Sequence, residues 1–423
     1  MNWQDKDHTF IWHPFSPLQG VEKPLVVEKA EGIYLHTECG KKIIDAVSSW
    51  WVNLHGHSHP YIAEKVSNQL RSLEHVIYAG FTHKPSIHLA ERLLDILPRN
   101  QSKIFYSDNG STAVEVAIKL AIQFWFNQGA NKSKIIAIDG AYHGDTFGAM
   151  SVGERSIFTK PFFPFLFDVE FVPFPQGNND QQVLSKFESI CQNDDVAAFI
   201  FEPLVQGAAG MRMYSKDTLN TMMDLCEDHN IVSIADEVMT GFGRTGDMFV
   251  SKHLSTKPDL ICLSKGLTGG TMALGATSCS KRIVDVFQSN DLEMAFLHGH
   301  SYTANPLACT AANASLDLLL TDESKNHIKR IEEFHKTFVD KISSNQAVRE
   351  ARYLGTILAI EIEGAGDSSY LSEMRNQIYP FFIERNILLR PLGNLIYLIP
   401  PYIITNDELN MVYKAIEEFL DTL

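Results

Sequence analysis

The chain has 423 residues, of which 45% are hydrophobic and 21% are charged, and its formal net charge is −15. This length exceeds the size at which one hydrophobic core keeps growing, so we expect a globular protein with two packed domains. The acidic balance argues against nucleic acid and against an anionic membrane surface as partners, because both need a concentrated basic face.

Local features disfavour further classes of protein. The first residues resemble neither a signal peptide nor a transit peptide. The most apolar candidate span, Leu395–Ile404, is interrupted by Pro400 and Pro401. The six cysteines are scattered without a CxxC pair, as expected of reduced thiols. We therefore predict a cytoplasmic protein that has no metal site and no membrane segment.

In chain order, the first predicted elements are hairpin strands within Val26–Asp45, with a turn at Cys39–Lys41. Short apolar runs bounded by polar or glycine positions follow, and such runs are typical of buried strands. These runs are Ile104–Tyr106, Lys134–Ile138, Ala197–Phe201, Ile231–Ala235 and Asp259–Leu263. Helical patterns lie between them, and this alternation predicts an α/β layer with a mostly parallel sheet.

The clearest of these helical patterns is Ser111–Gln128. Its apolar residues recur at helical spacing, which predicts one buried face. The residues of this face are Val114, Ala117, Ile118, Ala121, Ile122 and Trp125. Thr112 and Glu115 have the spacing of a capping box, so we expect them to close the start of the helix.

The pattern changes in the C-terminal part of the chain. We predict helices at Ala308–Leu320, Ser324–Ser344 and Asp407–Leu423, with strands near Gly355–Glu363 and Leu395–Leu398. We infer a large α/β domain over residues 56–307. A smaller α+β domain would combine residues 1–55 with residues 308–423.

Two ionisable residues follow predicted strands, where open α/β sheets place their ligands. Asp236 follows the run Ile231–Ala235, and Lys265 follows Asp259–Leu263 and precedes Gly266. The two could form a buried ion pair. Alternatively, a partly desolvated lysine can form a Schiff base with a carbonyl cofactor. An aspartate beside a pyridinium nitrogen would then keep that nitrogen protonated.

Two loops that follow strands have features of a cofactor site. Ser107–Thr112 leads into a predicted helix, where backbone N–H groups and hydroxyls can bind an anion, although the same residue types are common N-caps. Tyr142, in the loop Gly140–Asp145, could stack on a flat heterocycle or be an ordinary loop aromatic.

These motifs together carry a specific resemblance. Asp236–Gly246 and Leu263–Gly270 resemble the corresponding segments of the class III aminotransferases, which use pyridoxal 5′-phosphate and have fold type I. Further segments are similar to the branch of that family that converts 8-amino-7-oxononanoate to 7,8-diaminononanoate in biotin synthesis. These segments are Trp12–Phe15, Ser48–Trp51, Tyr142–Thr146, Gln206–Arg212 and Arg390–Tyr397, and the match runs from Trp12 to the C-terminus.

The resemblance implies a two-stage ping-pong transamination in which Lys265 is the Schiff-base lysine and Asp236 pairs with the ring nitrogen. The other implied roles concern cofactor and substrate. Tyr142 would stack on the ring, Gly110 and Ser111 would bind the phosphate from one subunit, and His300 and Ser301 would bind it from the other subunit of a homodimer. Arg390 would hold the substrate carboxylate, and Phe15, Trp50, Trp51, Gly299 and Tyr397 would line the substrate channel.

The chain departs from the family pattern at a few positions. Phe15 replaces a tyrosine, His300–Tyr302 replaces Pro-Thr-Phe, and Asn109 replaces a serine. The amino donor therefore stays open between S-adenosylmethionine, which we favour because of Trp50 and Trp51, and lysine. Another class III enzyme for ω-amino acids or diamines, a pyridoxal phosphate isomerase and a catalytically inactive cofactor-binding protein are the alternatives. Arg244 could be structural or lie beside the substrate.

Overall fold

The computed structural model describes residues 1–363 and 374–423 and consists of sixteen strands and thirteen α-helices over those ranges. The strands are β1 (Val27–Glu31), β2 (Tyr34–Thr37), β3 (Lys42–Asp45), β4 (Gln101–Ser107), β5 (Lys134–Ile138), β6 (Val169–Val172), β7 (Val196–Phe201), β8 (Val205–Gln206), β9 (Arg212–Met213), β10 (Val232–Asp236), β11 (Leu260–Leu263), β12 (Gly275–Ser280), β13 (Val348–Leu354), β14 (Ile357–Ile362), β15 (Ile387–Leu388) and β16 (Leu395–Leu398).

The helices alternate with the strands through the middle of the chain. They are α1 (Trp3–Phe10), α2 (Ser48–Trp51), α3 (Pro60–Ser72), α4 (Lys84–Ile96), α5 (Gly110–Phe126), α6 (Phe147–Ser151), α7 (Asp180–Cys191), α8 (Lys216–Asp228), α9 (Lys281–Val286), α10 (Pro306–Leu319), α11 (Asp322–Ile342), α12 (Arg375–Glu384) and α13 (Asn406–Leu420).

A seven-stranded sheet forms the centre of the molecule, in the order β4-β12-β11-β10-β7-β5-β6. Strands β11, β10, β7, β5 and β6 are parallel, and β12 runs antiparallel to both of its neighbours. Successive residues of β5 enter different apolar clusters, because Ile135 packs with one cluster and Ile136 with the other. Both faces of the sheet are therefore covered, as in a parallel sheet with helices on each side.

The two ends of the chain meet in a second, four-stranded sheet of order β1-β2-β3-β15. The parallel pairing of Ile387 with Ile44 joins the C-terminal part to the N-terminal hairpins. A three-stranded antiparallel sheet, β13-β14-β16, lies in the C-terminal part. This arrangement supports the proposed small domain from both chain ends, while its exact bounds stay a prediction.

The predicted α/β class and the mostly parallel sheet are confirmed, as are the five strands predicted in the central part of the chain. Helix α5 is also confirmed, but the capping box proposed for it is wrong. Asn109 caps the helix instead, since Thr112 N–H donates to Asn109 Oδ1 at 3.0 Å and Asn109 N–H donates to Thr112 Oγ1 at 2.9 Å. Glu115 accepts hydrogen bonds from the backbone N–H groups of Gly148 and Ala149.

Candidate active site

The carboxyl ends of β10 and β11 lie side by side, because Asp236 is opposite Cys262 in parallel register. This pairing brings Asp236 and Lys265 to one edge of the sheet, where a cavity of about 430 Å³ opens. The cavity is lined by Trp51, Val52, Asn109, Gly110, Ser111, Tyr142, His143, Gly144, Glu202, Asp236, Val238, Met239, Ser264, Lys265, Gly270, Thr271, Met272 and Ala273. The two residues that the sequence singled out therefore share one site.

Asp236 is buried and held at both carboxylate oxygens. His143 Nδ1 lies 2.7 Å from Asp236 Oδ2, and Val238 N–H donates to Asp236 Oδ1 at 3.1 Å. A carboxylate only accepts hydrogen bonds, so the His143 proton is on Nδ1. The Nε2 atom of His143 is buried and has no hydrogen-bond partner in the described chain, which leaves it free for a bound molecule.

Lys265 begins a short 3-10 turn and has a φ of 45°, in the left-handed region. Such a conformation costs about 1–3 kcal/mol outside glycine and is concentrated at functional sites. Burial lowers the pKa of Lys265 to about 8, although the charges of Asp236 and Glu202 oppose this effect. The Nζ atom lies 4.6 Å from the ring centroid of Trp51. Lys265 can therefore provide a neutral amine near neutral pH, as a nucleophile or a proton acceptor must.

Glu202 is an ionisable residue of this site that the sequence analysis missed. It is buried, and its carboxylate accepts hydrogen bonds from Tyr142 N–H at 3.1 Å and Gly207 N–H at 2.9 Å. Burial raises the pKa of Glu202 to about 7, with a smaller contribution in the same direction from Asp236. Its position directly after strand β7 is the same signal that identified Asp236, and it could have been found in this way.

The start of α5 faces the cavity together with the loop that contains Gly144. A Cβ atom on Gly144 would lie 2.1 Å from Ser111 Oγ, and one on Gly110 would lie 2.8 Å from a methyl carbon of Val238. The backbone is therefore closely packed where the first N–H groups of the helix begin. Such N–H groups bind anions well. The cavity thus has backbone N–H groups suited to an anion at Gly110 and Ser111, and an amine at Lys265.

Tyr142 lines the same cavity and is 38% exposed. Its hydroxyl donates a hydrogen bond to Asp145 Oδ2 at 3.0 Å. Burial, followed by the charge of Asp145, raises the pKa of Tyr142, so that the hydroxyl stays protonated. This placement is suited to stacking on a flat ring.

The two adjacent tryptophans occupy different environments. Trp51 is buried at the cavity wall, and its Nε1–H donates to the hydroxyl of the buried Tyr397 at 3.1 Å. Trp50 is 39% exposed, with the Arg390 guanidinium 4.2 Å above its ring and the Phe15 ring centroid 5.7 Å away. These five residues form an aromatic wall with one cation, which extends outward from the cavity.

Several predicted residues lie outside this cavity, among them Phe15, Trp50, Arg390 and Tyr397 of the aromatic wall. Gly299 and Ser301 are exposed, and His300 is partly buried with Nδ1 3.1 Å from Asp108 Oδ2. Arg244 is buried and donates to the backbone carbonyls of Pro400 and Asn53, at 2.8 and 3.0 Å. These contacts give Arg244 a structural role.

The fold and this site define a pyridoxal-phosphate-type transferase of fold type I, and residues 17–420 match the family model for class III aminotransferases. The chain belongs to that family. A curated relative in Synechococcus elongatus, adenosylmethionine-8-amino-7-oxononanoate aminotransferase, is 46% identical over 98% of this chain and 99% of its own length. The enzyme of the same name in Helicobacter pylori is 37% identical, over 100% and 99% of the two chains.

Solved structures agree with this relationship. The adenosylmethionine-8-amino-7-oxononanoate aminotransferase of Methanocaldococcus jannaschii matches with a TM-score of 0.91 and 36% identity, over 98% of both chains. A pyridoxal-phosphate-bound amine transaminase from an uncultivated Pseudomonas species matches with a TM-score of 0.89 and 28% identity, over 96% of this chain and 97% of the other. In the ranges described here, no helix is long and apolar enough to cross a membrane.

Proposed function

We propose that this chain is the aminotransferase that converts 8-amino-7-oxononanoate to 7,8-diaminononanoate in biotin synthesis, with S-adenosylmethionine as amino donor and pyridoxal 5′-phosphate as cofactor. The observation that carries the proposal is the cavity in which Lys265 and Asp236 meet, in a chain that is 46% identical over nearly its whole length to a relative of that name.

The residues of the cavity fit this cofactor. The N–H groups at Gly110 and Ser111 would bind the phosphate, Tyr142 would stack on the ring and Asp236 would face the ring nitrogen. The buried, unpartnered Nε2 of His143, which lines the cavity, is a polar atom that a bound ligand can satisfy. When bound, pyridoxal phosphate supplies an electron-withdrawing ring that stabilises negative charge at the carbon next to the transferred amine.

The chain itself provides the proton movements and the binding contacts. Lys265, with its pKa lowered to about 8 by burial, would move a proton from the donor carbon to the bound cofactor in the first half of the reaction, and from the cofactor to the substrate carbon in the second half. Asp236 would keep the ring nitrogen of the bound cofactor protonated, and His143 fixes the Asp236 carboxylate. Arg390 would bind the carboxylate at the far end of the keto acid, and Trp50, Trp51 and Phe15 would contact its alkyl chain. Tyr397 is buried, so its proposed role is to hold the Trp51 indole through its hydroxyl.

The test of this function separates donor and acceptor. The purified protein, loaded with cofactor, is mixed with S-adenosylmethionine or with lysine while its visible absorbance is followed, and 8-amino-7-oxononanoate is then added. Bleaching by S-adenosylmethionine and recovery with the keto acid is the expected result. Bleaching only by lysine would replace the donor. Recovery of the absorbance with the oxo acid that corresponds to an ω-amino acid, but never with 8-amino-7-oxononanoate, would make the chain another class III aminotransferase.

We further propose a homodimer that works in the cytoplasm, with Ser301 and His300 of one subunit reaching the phosphate in the other. Large exposed side chains support a second copy as the partner, since Phe81 is 62%, Leu297 69% and Tyr302 63% exposed in the single chain. The six free thiols support a reducing compartment. A mass near one chain in sedimentation equilibrium, with cofactor bound, would overturn the dimer.

A further inference from the structure

A continuous line of polar contacts connects α5 with the loop that contains Ser301. Lys119 Nζ lies 3.0 Å from His298 Nδ1, and His298 Nε2 lies 3.1 Å from His300 Nε2. His300 Nδ1 is 3.1 Å from Asp108 Oδ2. Asp108 stands directly before the cap of α5, so the line begins and ends on the same helix and its leading loop.

The Lys119 ammonium, the first group of this line, determines which nitrogen of each histidine carries the proton. Lys119 is exposed, and an ammonium group only donates, so His298 Nδ1 must accept. The proton of a neutral His298 is then on Nε2 and points to His300 Nε2, which must accept in turn. His300 therefore has its proton on Nδ1, the nitrogen that faces Asp108. With both imidazoles neutral, these contacts define one tautomer for each histidine.

A second proton on either histidine disrupts this arrangement of hydrogen-bond donors and acceptors. A second proton on His298 would point Nδ1–H at the Lys119 ammonium, and a second proton on His300 would point Nε2–H at the His298 donor. Burial, together with the charge of Lys119, lowers the pKa of His298, while Glu115 acts in the opposite direction. His298 also stacks on Phe296, with ring centroids 5.5 Å apart, which holds its ring plane.

The last contact in the line is electrostatic rather than an aligned hydrogen bond. Although His300 Nδ1 is only 3.1 Å from the Asp108 carboxylate, it has no partner that meets hydrogen-bond geometry in the described chain. The His300 backbone N–H donates to Thr303 Oγ1 at 2.9 Å, which ties the turn around Ser301. The loop is therefore fixed on one side by the histidine pair and on the other by this turn.

We infer that His298 and His300 are positioning residues that hold Ser301 in place for the cofactor phosphate of the partner subunit, and that they do so only while both imidazoles are neutral. This inference rests on the proposed dimer and on the proposed contact of Ser301 with phosphate. It also gives a physical role to His300, which stands where the family pattern has proline.

Cofactor affinity at several pH values tests the inference without relying on turnover. The dissociation constant of pyridoxal phosphate is measured by fluorescence quenching of the cofactor-free protein between pH 5.5 and 8, for the wild type and for His298→Phe. At pH 8 the variant should bind about fivefold more weakly, which is the size expected for one lost hydrogen bond. The ratio of the two constants should decrease as the pH is lowered, because protonation of either histidine removes the pair in the wild type as well.

Lys119→Met provides a second variant at an exposed position that cannot disturb the core, and Lys325→Met, an exposed lysine paired with Asp322, is its matched control. Lys119→Met should weaken binding at pH 8 while Lys325→Met does not. The titrations of the cofactor phosphate and of Lys265 are common to all variants and cancel in the ratios. A ratio of one at pH 8, or a ratio that stays constant over the whole range, would overturn the inference.

Two further measurements distinguish the inference from the proposed function. Nitrogen NMR of the holoprotein with labelled histidine should place the proton of His298 on Nε2 and that of His300 on Nδ1 at pH 8. Any other pair of tautomers would overturn the inferred line of contacts. Ser301→Ala tests the phosphate contact itself. If Ser301→Ala leaves the dissociation constant unchanged while the tautomers are as expected, the proposed contact across the dimer is wrong and the positioning role is overturned with it.

Discussion

His143 donates its Nδ1 proton to Asp236 Oδ2 across 2.7 Å, and both side chains are buried. This bond holds the Asp236 carboxylate in one orientation. We propose that the same carboxylate pairs with the ring nitrogen of the cofactor. His143 comes from the loop after β5, while Asp236 ends β10, so two separate strands of the sheet determine the geometry. A residue that orients another in this way is expected to affect activity by about 10–100-fold.

Replacement of His143 tests this positioning. His143→Phe removes the donor and should lower kcat by about tenfold to a hundredfold, because Asp236 then keeps only the hydrogen bond from Val238 N–H. His143→Asn can place an amide N–H where Nδ1–H was, so it should recover part of the loss. The measurement is kcat together with the position of the cofactor absorbance band. Equal kcat values for the wild type and His143→Phe would contradict the role.

The lysine prediction concerns the reactive amine. Lys265→Ala should bind the cofactor weakly and lose turnover, since no amine remains to move the proton. Borohydride should attach the cofactor to the wild-type chain and not to this variant, as mass spectrometry of the intact protein would detect. Lys257→Ala is a suitable control, because burial also lowers the pKa of Lys257 but that residue lies outside the cavity. Steady turnover by Lys265→Ala would refute the assignment.

Glu202 predicts a specific pH dependence of stability. Its pKa is raised from 4.5 to about 7 by burial, so the native state favours the protonated form. The corresponding stability is present below about pH 4.5 and is lost as the pH rises through about 7. Between pH 5 and 8 the free energy of unfolding should fall in the wild type by up to about 3 kcal/mol more than in Glu202→Gln, whose side chain cannot ionise. Denaturant unfolding of the cofactor-free proteins measures this difference, and parallel pH profiles would contradict it.

Arg390 is predicted to act on substrate binding. Arg390→Ala should raise the KM for the keto acid by about tenfold to a hundredfold with little change in kcat, if the carboxylate contact is equally strong in the ground and transition states. Arg385→Ala is the matched control, since Arg385 is an exposed arginine paired with Glu418 near the same segment. Unchanged KM in Arg390→Ala would remove this residue from the substrate site.

Much of the fold could be predicted because its signals are local. Five of the seven strands of the central sheet contain a short apolar run between polar or glycine positions, and β5 is predicted to the residue at Lys134–Ile138. Strands β6 and β12 of the central sheet were missed. Strand β12, with the sequence Gly275–Ser280, consists of small and polar residues without apolar alternation. It is a strand because it is inserted between β4 and β11, where backbone hydrogen bonds on both sides stabilise it.

The sequence by itself determined that Asp236 and Lys265 follow strands, and that the central layer is α/β, because strand and helix periods are properties of neighbouring residues. Only the tertiary structure decided which strand ends meet. It brought His143 and Glu202 to Asp236, joined β15 to β3 from opposite ends of the chain, and connected Lys119 to Asp108 through two histidines. The reason is physical: hydrogen bonds, desolvation and pairing register depend on distances in space, which residues far apart in the chain acquire only when the sheet has formed.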